Sequence, residues 1–273
     1  MKKLKTLFSG NNFSKAFLYC WIGFFVLSAL ILTIALSFVS RSASGGFSTH
    51  LTLHNLELLF QNTYILILLK SIRLAFLTSL FCFLFGFPIA YVIASSPPKK
   101  QILYYSLLLV PFWTNFIVRT QALRQVFSPS GTGIELPPTI LVQIGMLLNY
   151  LPLFVLPCAV AIERIPASLW EAACDLGAKR RSIWIKVLFP MLKKPLLHGV
   201  LMVFVPALGE FVIPEILGGA QGFYLGGLIS EQFLKARNWP FGAALSLFLL
   251  MGAMILVFLQ KNKEQKPDEG TPA

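Results

Sequence analysis

The feature that most constrains this chain is a set of apolar runs long enough to cross a lipid bilayer. Phe17 to Val39 is a 23-residue run without a charge. About 20 helical residues cross a hydrocarbon core ~30 Å thick. Further runs lie at roughly Ile72–Ser95, Ile102–Gln121, Thr139–Ile162, Leu196–Leu217 and Phe241–Leu259. Six runs predict an all-α integral membrane protein with six transmembrane helices. Only 12% of residues are charged and 56% are hydrophobic, whereas a soluble domain carries about 25% charged residues. A secretory leader has an apolar stretch of only about 7–15 residues. Ala43-Ser44-Gly45 would pass as a cleavage site, but the length of the first run favours a retained anchor.

Prolines punctuate these runs. Pro88 lies in the second and Pro152 and Pro157 in the fourth. Pro111 is expected to bend the third run, and Pro206 and Pro214 to interrupt the fifth. Backbone groups freed inside a membrane are tolerated where they line a cavity, which places a pathway beside the fifth run. Residues 40–70 and 218–239 read as loops.

The net charge of +12 does not indicate nucleic acid, because the basic residues flank the apolar runs. Six crossings put both termini on one side. That side holds 16 of the 23 Lys and Arg, against seven on the other. The positive-inside rule then makes the termini cytoplasmic, together with the loop at about residues 163–195. The organisation expected is an N-terminal tail, first span and external loop over 1–64, a transmembrane domain over 65–260 and a cytoplasmic tail over 261–273. The three histidines form no cluster and the four cysteines show no metal or disulfide spacing.

Glu171 to Pro190 is a polar stretch within this apolar chain. It holds Lys179, Arg180, Arg181 and Lys186 beside Glu171 and Asp175. Ser168-Leu169-Trp170-Glu171 fits a capping box behind Pro166, and Gly177 is placed to end the short helix. Leu169, Ala172, Ala173 and Leu176 fall on one face at i, i+3, i+4, i+7. After the glycine, Ile183, Trp184, Val187 and Leu188 make a second apolar stripe. Such a helix suits a partner's groove or a lipid surface, and the pattern leaves both open.

Glu171-Ala172-Ala173, three residues, Gly177, nine residues, then Val187-Leu188-Phe189-Pro190 resembles the EAA signature of permease subunits of binding-protein-dependent ABC importers. The signature ends in Ile-x-Leu-Pro, and this chain has apolar Val187 and Phe189 instead. Val110 to Arg119, Pro206 to Glu215 with Leu217-Gly218-Gly219, and Arg237 to Ala244 are similar to spermidine/putrescine permeases. The resemblance covers about residues 65–260. It implies a type I importer fold in a bacterial inner membrane, with a second homologous permease and an extracytoplasmic substrate-binding protein. It also implies an ATP-binding subunit dimer carrying ATP and Mg, into which Glu171, Ala172, Ala173, Gly177, Leu169 and Leu176 dock. No Gly-Lys dipeptide occurs, so the chain has no Walker A loop of its own. It reads as a transporter subunit that binds no cofactor and is not an enzyme.

Intramembrane acids are costly and tend to face a wet cavity or a partner. Counting from a helix start at Leu196, Glu210 lies roughly 21 Å across the core and Glu215 about 28 Å. Glu210 would serve a cationic pathway or a structural ion pair. Glu215 would line the same route, sit at the headgroups or pair with Arg119. Trp113 and Tyr150 offer aromatic faces to ammonium groups, or anchor the interface. The cargo is expected to be a polyamine; another small solute, or an ATP-independent secondary transporter, is the alternative.

Overall fold

The computed structural model describes residues 12–42, 46–128, 131, 133–219 and 222–265. The basic start up to residue 11, the Ala43-Ser44-Gly45 site and the end of the tail from residue 266 lie outside the described residues. The elements are α1 Asn12–Ser37, β1 Val39–Arg41, β2 Phe47–Leu51, α2 His54–Leu58, α3 Asn62–Ala94, α4 Pro98–Trp113, α5 Phe116–Val126, α6 Pro138–Glu163 and α7 Ala167–Asp175. They continue with α8 Arg180–Ile183, a π turn at Trp184–Leu188, α9 Phe189–Gly209, α10 Val212–Gly218, α11 Leu225–Leu234 and α12 Trp239–Gln265. Among the described residues, five helices are long and apolar enough to cross a membrane, and the bent pair α4–α5 supplies a sixth span if counted as one.

The chain divides into two units. The first comprises residues 1–61 and 231–250. In it, the expected loop after α1 is an antiparallel β1–β2 hairpin followed by a short helix. Asn55 Nδ2 donates to the Ser37 and Val39 carbonyls, satisfying orphan acceptors where α1 ends. Arg41 donates to the Ala236 carbonyl and Gly46 N–H to that of Arg237.

The second unit comprises residues 62–230 and 251–273. Its core is α3, α6 and α9, which pack most extensively on one another. The face that α3 buries is rich in small residues: Ala75, Ser79, Cys82, Gly86 and Ala90. Small faces let helix backbones approach closely where water offers no driving force. Phe154 of α6 fills the space this leaves and is fully buried. A Cβ on Gly86 would meet its ring at 2.6 Å, and one on Gly199 of α9 at 3.1 Å. Thr78 and Ser79 return their hydroxyls to carbonyls one turn back, so the buried polar groups are satisfied.

Several boundaries differ from the sequence expectation. Helix α3 starts ten residues before Ile72, because Lys70 and Arg73 interrupt an apolar run without interrupting a helix. Pro88 stays inside it. The third span breaks at Thr114-Asn115 by 88° rather than at Pro111. Asn115 Oδ1 accepts from Ile117 N–H at 2.9 Å and caps a new helix there. The fifth span reaches back through the π turn to α8, and Pro195 and Pro206 stay within α9. Its break falls at Glu210-Phe211, so depths counted from Leu196 have no helix start behind them. The 218–239 segment contains helix α11, and α12 extends beyond Leu259 to Gln265. The capping box does not form: α7 begins at Ala167 with Pro166 at its N-cap and no side-chain cap.

Candidate functional site

Two helix breaks meet at one cavity. The first is Thr114-Asn115 between α4 and α5, and the second is Glu210-Phe211 between α9 and α10. Both contribute to the wall of a cavity of about 530 Å³ whose remaining lining includes Phe112, Arg119, Asn149, Tyr150 and Ile213.

Glu210 is the hinge of the second break. Its backbone is extended and closes α9, while its side chain turns onto α10. Oε1 accepts from the N–H groups of Phe211, Val212 and Ile213 at 3.1, 2.9 and 3.4 Å. These are donors that a helix start leaves without intrahelical partners. Oε2 accepts from the Tyr150 hydroxyl at 2.8 Å. All these donors are uncharged, so the carboxylate brings a negative charge to the wall.

Arg119 secures the first break. It donates to the Pro111 carbonyl, which also accepts from the Thr114 hydroxyl at 2.8 Å, and to Asn149 Oδ1 on α6. Its Nε has no hydrogen-bond partner among the described residues. The Asn149 amide donates to the Gly145 carbonyl at 2.9 Å. A Cβ at Gly145 would lie 2.4 Å from Leu217, so α10 sits hard against α6.

The structure therefore brings Arg119, Tyr150 and Glu210 to one cavity. Trp113 ends α4 with 91% of its surface exposed and does not line it. Glu215 is exposed in the first turn of α10 and also lies off the wall. Asn115 and Asn149 belong to the site and were missed. An Asn just ahead of Phe-Ile-Val-Arg was a readable N-cap; Asn149, inside an apolar run, gave only its polarity as a signal.

The polar loop is a second candidate site. α7 ends in a Schellman arrangement: Ala178 N–H donates to the Ala173 carbonyl at 3.0 Å and Gly177 N–H to that of Cys174 at 2.8 Å. Gly177 takes φ +72°, a left-handed conformation costly for any residue with a Cβ. Leu169, Glu171, Ala172 and Gly177 are exposed, Ala173 is half-buried, and Leu176 has 87% of its surface exposed. The side chains of Trp170 and Arg180 lie outside the described residues.

A packed aromatic path runs from the π turn of the polar loop through α3 to Phe154 of α6. Trp184, in the π turn, meets Tyr91 and Phe87 of α3 at ring-centroid distances of 5.0 and 6.2 Å. Phe87 stacks on Phe83 at 6.1 Å, and Phe83 meets Phe154 edge-on at 5.8 Å. Phe154 lies about one helical turn from Tyr150, which holds Glu210.

Membrane-length helices, two of them broken around a shared cavity, and an exposed loop helix define a membrane transport permease. A family model for the binding-protein-dependent transport system inner membrane component matches residues 74–267, and the chain belongs to that family. It is 34% identical over 272 residues to the spermidine/putrescine transport system permease protein PotB of Haemophilus influenzae, covering 93% of this chain and 95% of that one. PotB of Escherichia coli (strain K12) is 34% identical over 259 residues, covering 89% and 94%. Among solved structures, a chain of a bacterial ABC transporter involved in the import of the acidic polysaccharide alginate aligns with a TM-score of 0.73 at 15% identity, covering 98% of this chain and 100% of that one. A chain of the MetNI methionine ABC transporter, inward facing, aligns at 0.57 with 17% identity, covering 74% and 97%. At these identities the two structures speak for the fold.

Proposed function

We propose that this chain is the membrane-spanning subunit of an ATP-driven importer that moves polyamines, spermidine or putrescine, inward across a bacterial cytoplasmic membrane. The observation that carries the cargo assignment is the Glu210 carboxylate, held by Tyr150 on the cavity between the two breaks. A carboxylate and an aromatic face are the two groups that attract an ammonium. The names of the PotB relatives support the same cargo class.

In this reading the bent α4–α5 pair is one of six spans and both termini are cytoplasmic, as the charge bias supports. The transport domain is residues 65–260, with the coupling loop at about 163–195. A second homologous permease completes the pathway, and a substrate-binding protein delivers cargo from outside. ATP and Mg bind to a partner ATPase dimer. Its clefts receive α7 through Leu169, Glu171, Ala172, Ala173, Leu176 and Gly177. Glu215 serves at the outer interface.

Arg119 on the same wall favours a second reading, in which the cargo is a zwitterionic solute needing a cation and an anion. Competition decides between them. In proteoliposomes carrying the complete transporter with ATP, excess putrescine and spermidine are expected to suppress labelled spermidine uptake about tenfold or more, each tenfold being ~1.4 kcal/mol. Amino acids should leave it unchanged; no labelled spermidine uptake above background, with labelled amino acid taken up in its place, would establish the zwitterion reading.

A further inference from the structure

A second cavity, of about 630 Å³, lies apart from the one at the helix breaks. Its wall carries Lys70 and Arg73 of α3, Thr139 and Gln143 of α6, and Tyr224. Ile67, Leu74, Leu77 and Phe223 complete it. No carboxylate lines it, and neither cation has an ion-pair partner among the described residues. Leu225 N–H donates to Ser71 Oγ at 2.7 Å, which fixes the segment bearing Tyr224 against α3. Burial raises the Tyr224 phenol above its ordinary value, and the neighbouring Arg73 charge partly offsets this.

The length of α3 places this cavity along the membrane normal. Its 33 residues span about 50 Å at the helical rise, well beyond a ~30 Å core. Ala94 precedes the polar turn Ser95 to Lys100, which marks one interface. Counting back about 20 residues across the core reaches Leu74. Lys70 and Arg73 then stand in the headgroup layer of the opposite face, with Leu74 and Leu77 deeper along α3 and Leu74 buried within the chain. The cavity is thus cationic at headgroup level and largely apolar below, where Gln143 donates to Thr78 Oγ1 at 3.0 Å.

We propose that this cavity is a binding site for one phospholipid. Lys70 and Arg73 hold its phosphate, Tyr224 is within its polar half, and Leu74 and Leu77 contact the start of an acyl chain. The site does not depend on the identity of the cargo, and two unpaired cations make it a poor subsite for a polyamine. A free phosphate shares the headgroup chemistry but leaves the apolar half without a partner.

The test uses the full chain taken from nanodiscs containing phosphatidylglycerol, with retained lipid counted by native mass spectrometry. The expected result is one phosphatidylglycerol retained per wild-type chain. Retention should fall about tenfold in Lys70→Gln/Arg73→Gln, as for loss of a charge-assisted bond. Lys99→Gln/Lys100→Gln removes equal charge at the other interface and should retain lipid like the wild type. Both mutated pairs are exposed, so folding is not at stake. In a wild-type-only arm, short-chain phosphatidylglycerol should displace the retained lipid and millimolar inorganic phosphate should not. Equal retention in all three proteins would overturn the proposal. Displacement by inorganic phosphate alone would also overturn it, leaving a free-phosphate site.

Discussion

Replacing Leu176 with Asp is expected to leave the permease folded and inserted while weakening its hold on the ATPase about 30-fold or more. Leu176 touches little within its own chain, since 87% of its surface is exposed. Its removal therefore opens no cavity. In the proposed function Leu176 is an anchor for the ATPase's pocket, and loss of a central anchor costs roughly 2 kcal/mol or more. Burying an unpaired carboxylate in that pocket adds to the cost. The readout is co-purification of the ATPase and ATP-driven uptake, which should fall together. Gly177→Ala should act in the same direction, because φ +72° imposes about 1–2 kcal/mol on a residue with a Cβ and misorients α7. If Leu176→Asp binds the ATPase and transports like the wild type, α7 lies on lipid and is not the dock.

Glu210 carries the second large effect, and two substitutions separate its roles. Glu210→Ala removes the acceptor used by three backbone N–H groups and the Tyr150 hydroxyl. Unsatisfied buried groups cost about 1–3 kcal/mol each. The site is half-buried and water repairs part of the loss, so we expect about 2–4 kcal/mol of destabilisation in total, read as a lower unfolding temperature in detergent. Glu210→Gln keeps an oxygen to cap α10 but removes the negative charge. It should be close to the wild type in stability and yet lose about tenfold or more in polyamine uptake, the effect of some 1.4 kcal/mol or more of lost attraction. Wild-type uptake in Glu210→Gln would reduce Glu210 to a helix cap.

These two sites were legible in the sequence to different degrees. The spans were readable because a bilayer demands long uncharged runs, and all six runs fall on helices. The face of α7 and its glycine stop were readable because both are local. The capping box was not, because Pro166 takes the N-cap position and draws Ser168 into the first turn. The breaks were misplaced for a related reason. Prolines mark where a helix can bend, whereas the chain breaks where a side chain offers the next helix a better cap, at Asn115 and Glu210. The Arg119–Asn149 and Tyr150–Glu210 pairs join residues 30 and 60 positions apart. No local pattern encodes such pairings; they follow only from how α6 packs against α5 and α10. For the same reason Tyr150 was readable as an aromatic near a proline but not as the partner of Glu210.

In the proposed function the cavity is the pathway and α7 the ATPase dock, and the aromatic path from Trp184 to Phe154 is packed structure that would link them. Side chains this closely interlocked transmit displacement rather than absorb it. In the proposed function, force from the ATPase would enter at α7 and the helix breaks at the cavity would respond.

The most direct test of this account is the energy source for uptake. Labelled spermidine uptake should be measured in proteoliposomes holding this chain alone under an imposed ion gradient, and in proteoliposomes holding it with its second permease, ATPase dimer and binding protein. The account predicts uptake only in the complete complex, only with ATP and Mg on the ATPase side, and none above background from the chain alone. Gradient-driven uptake by the chain alone, without ATP or ATPase, would contradict it.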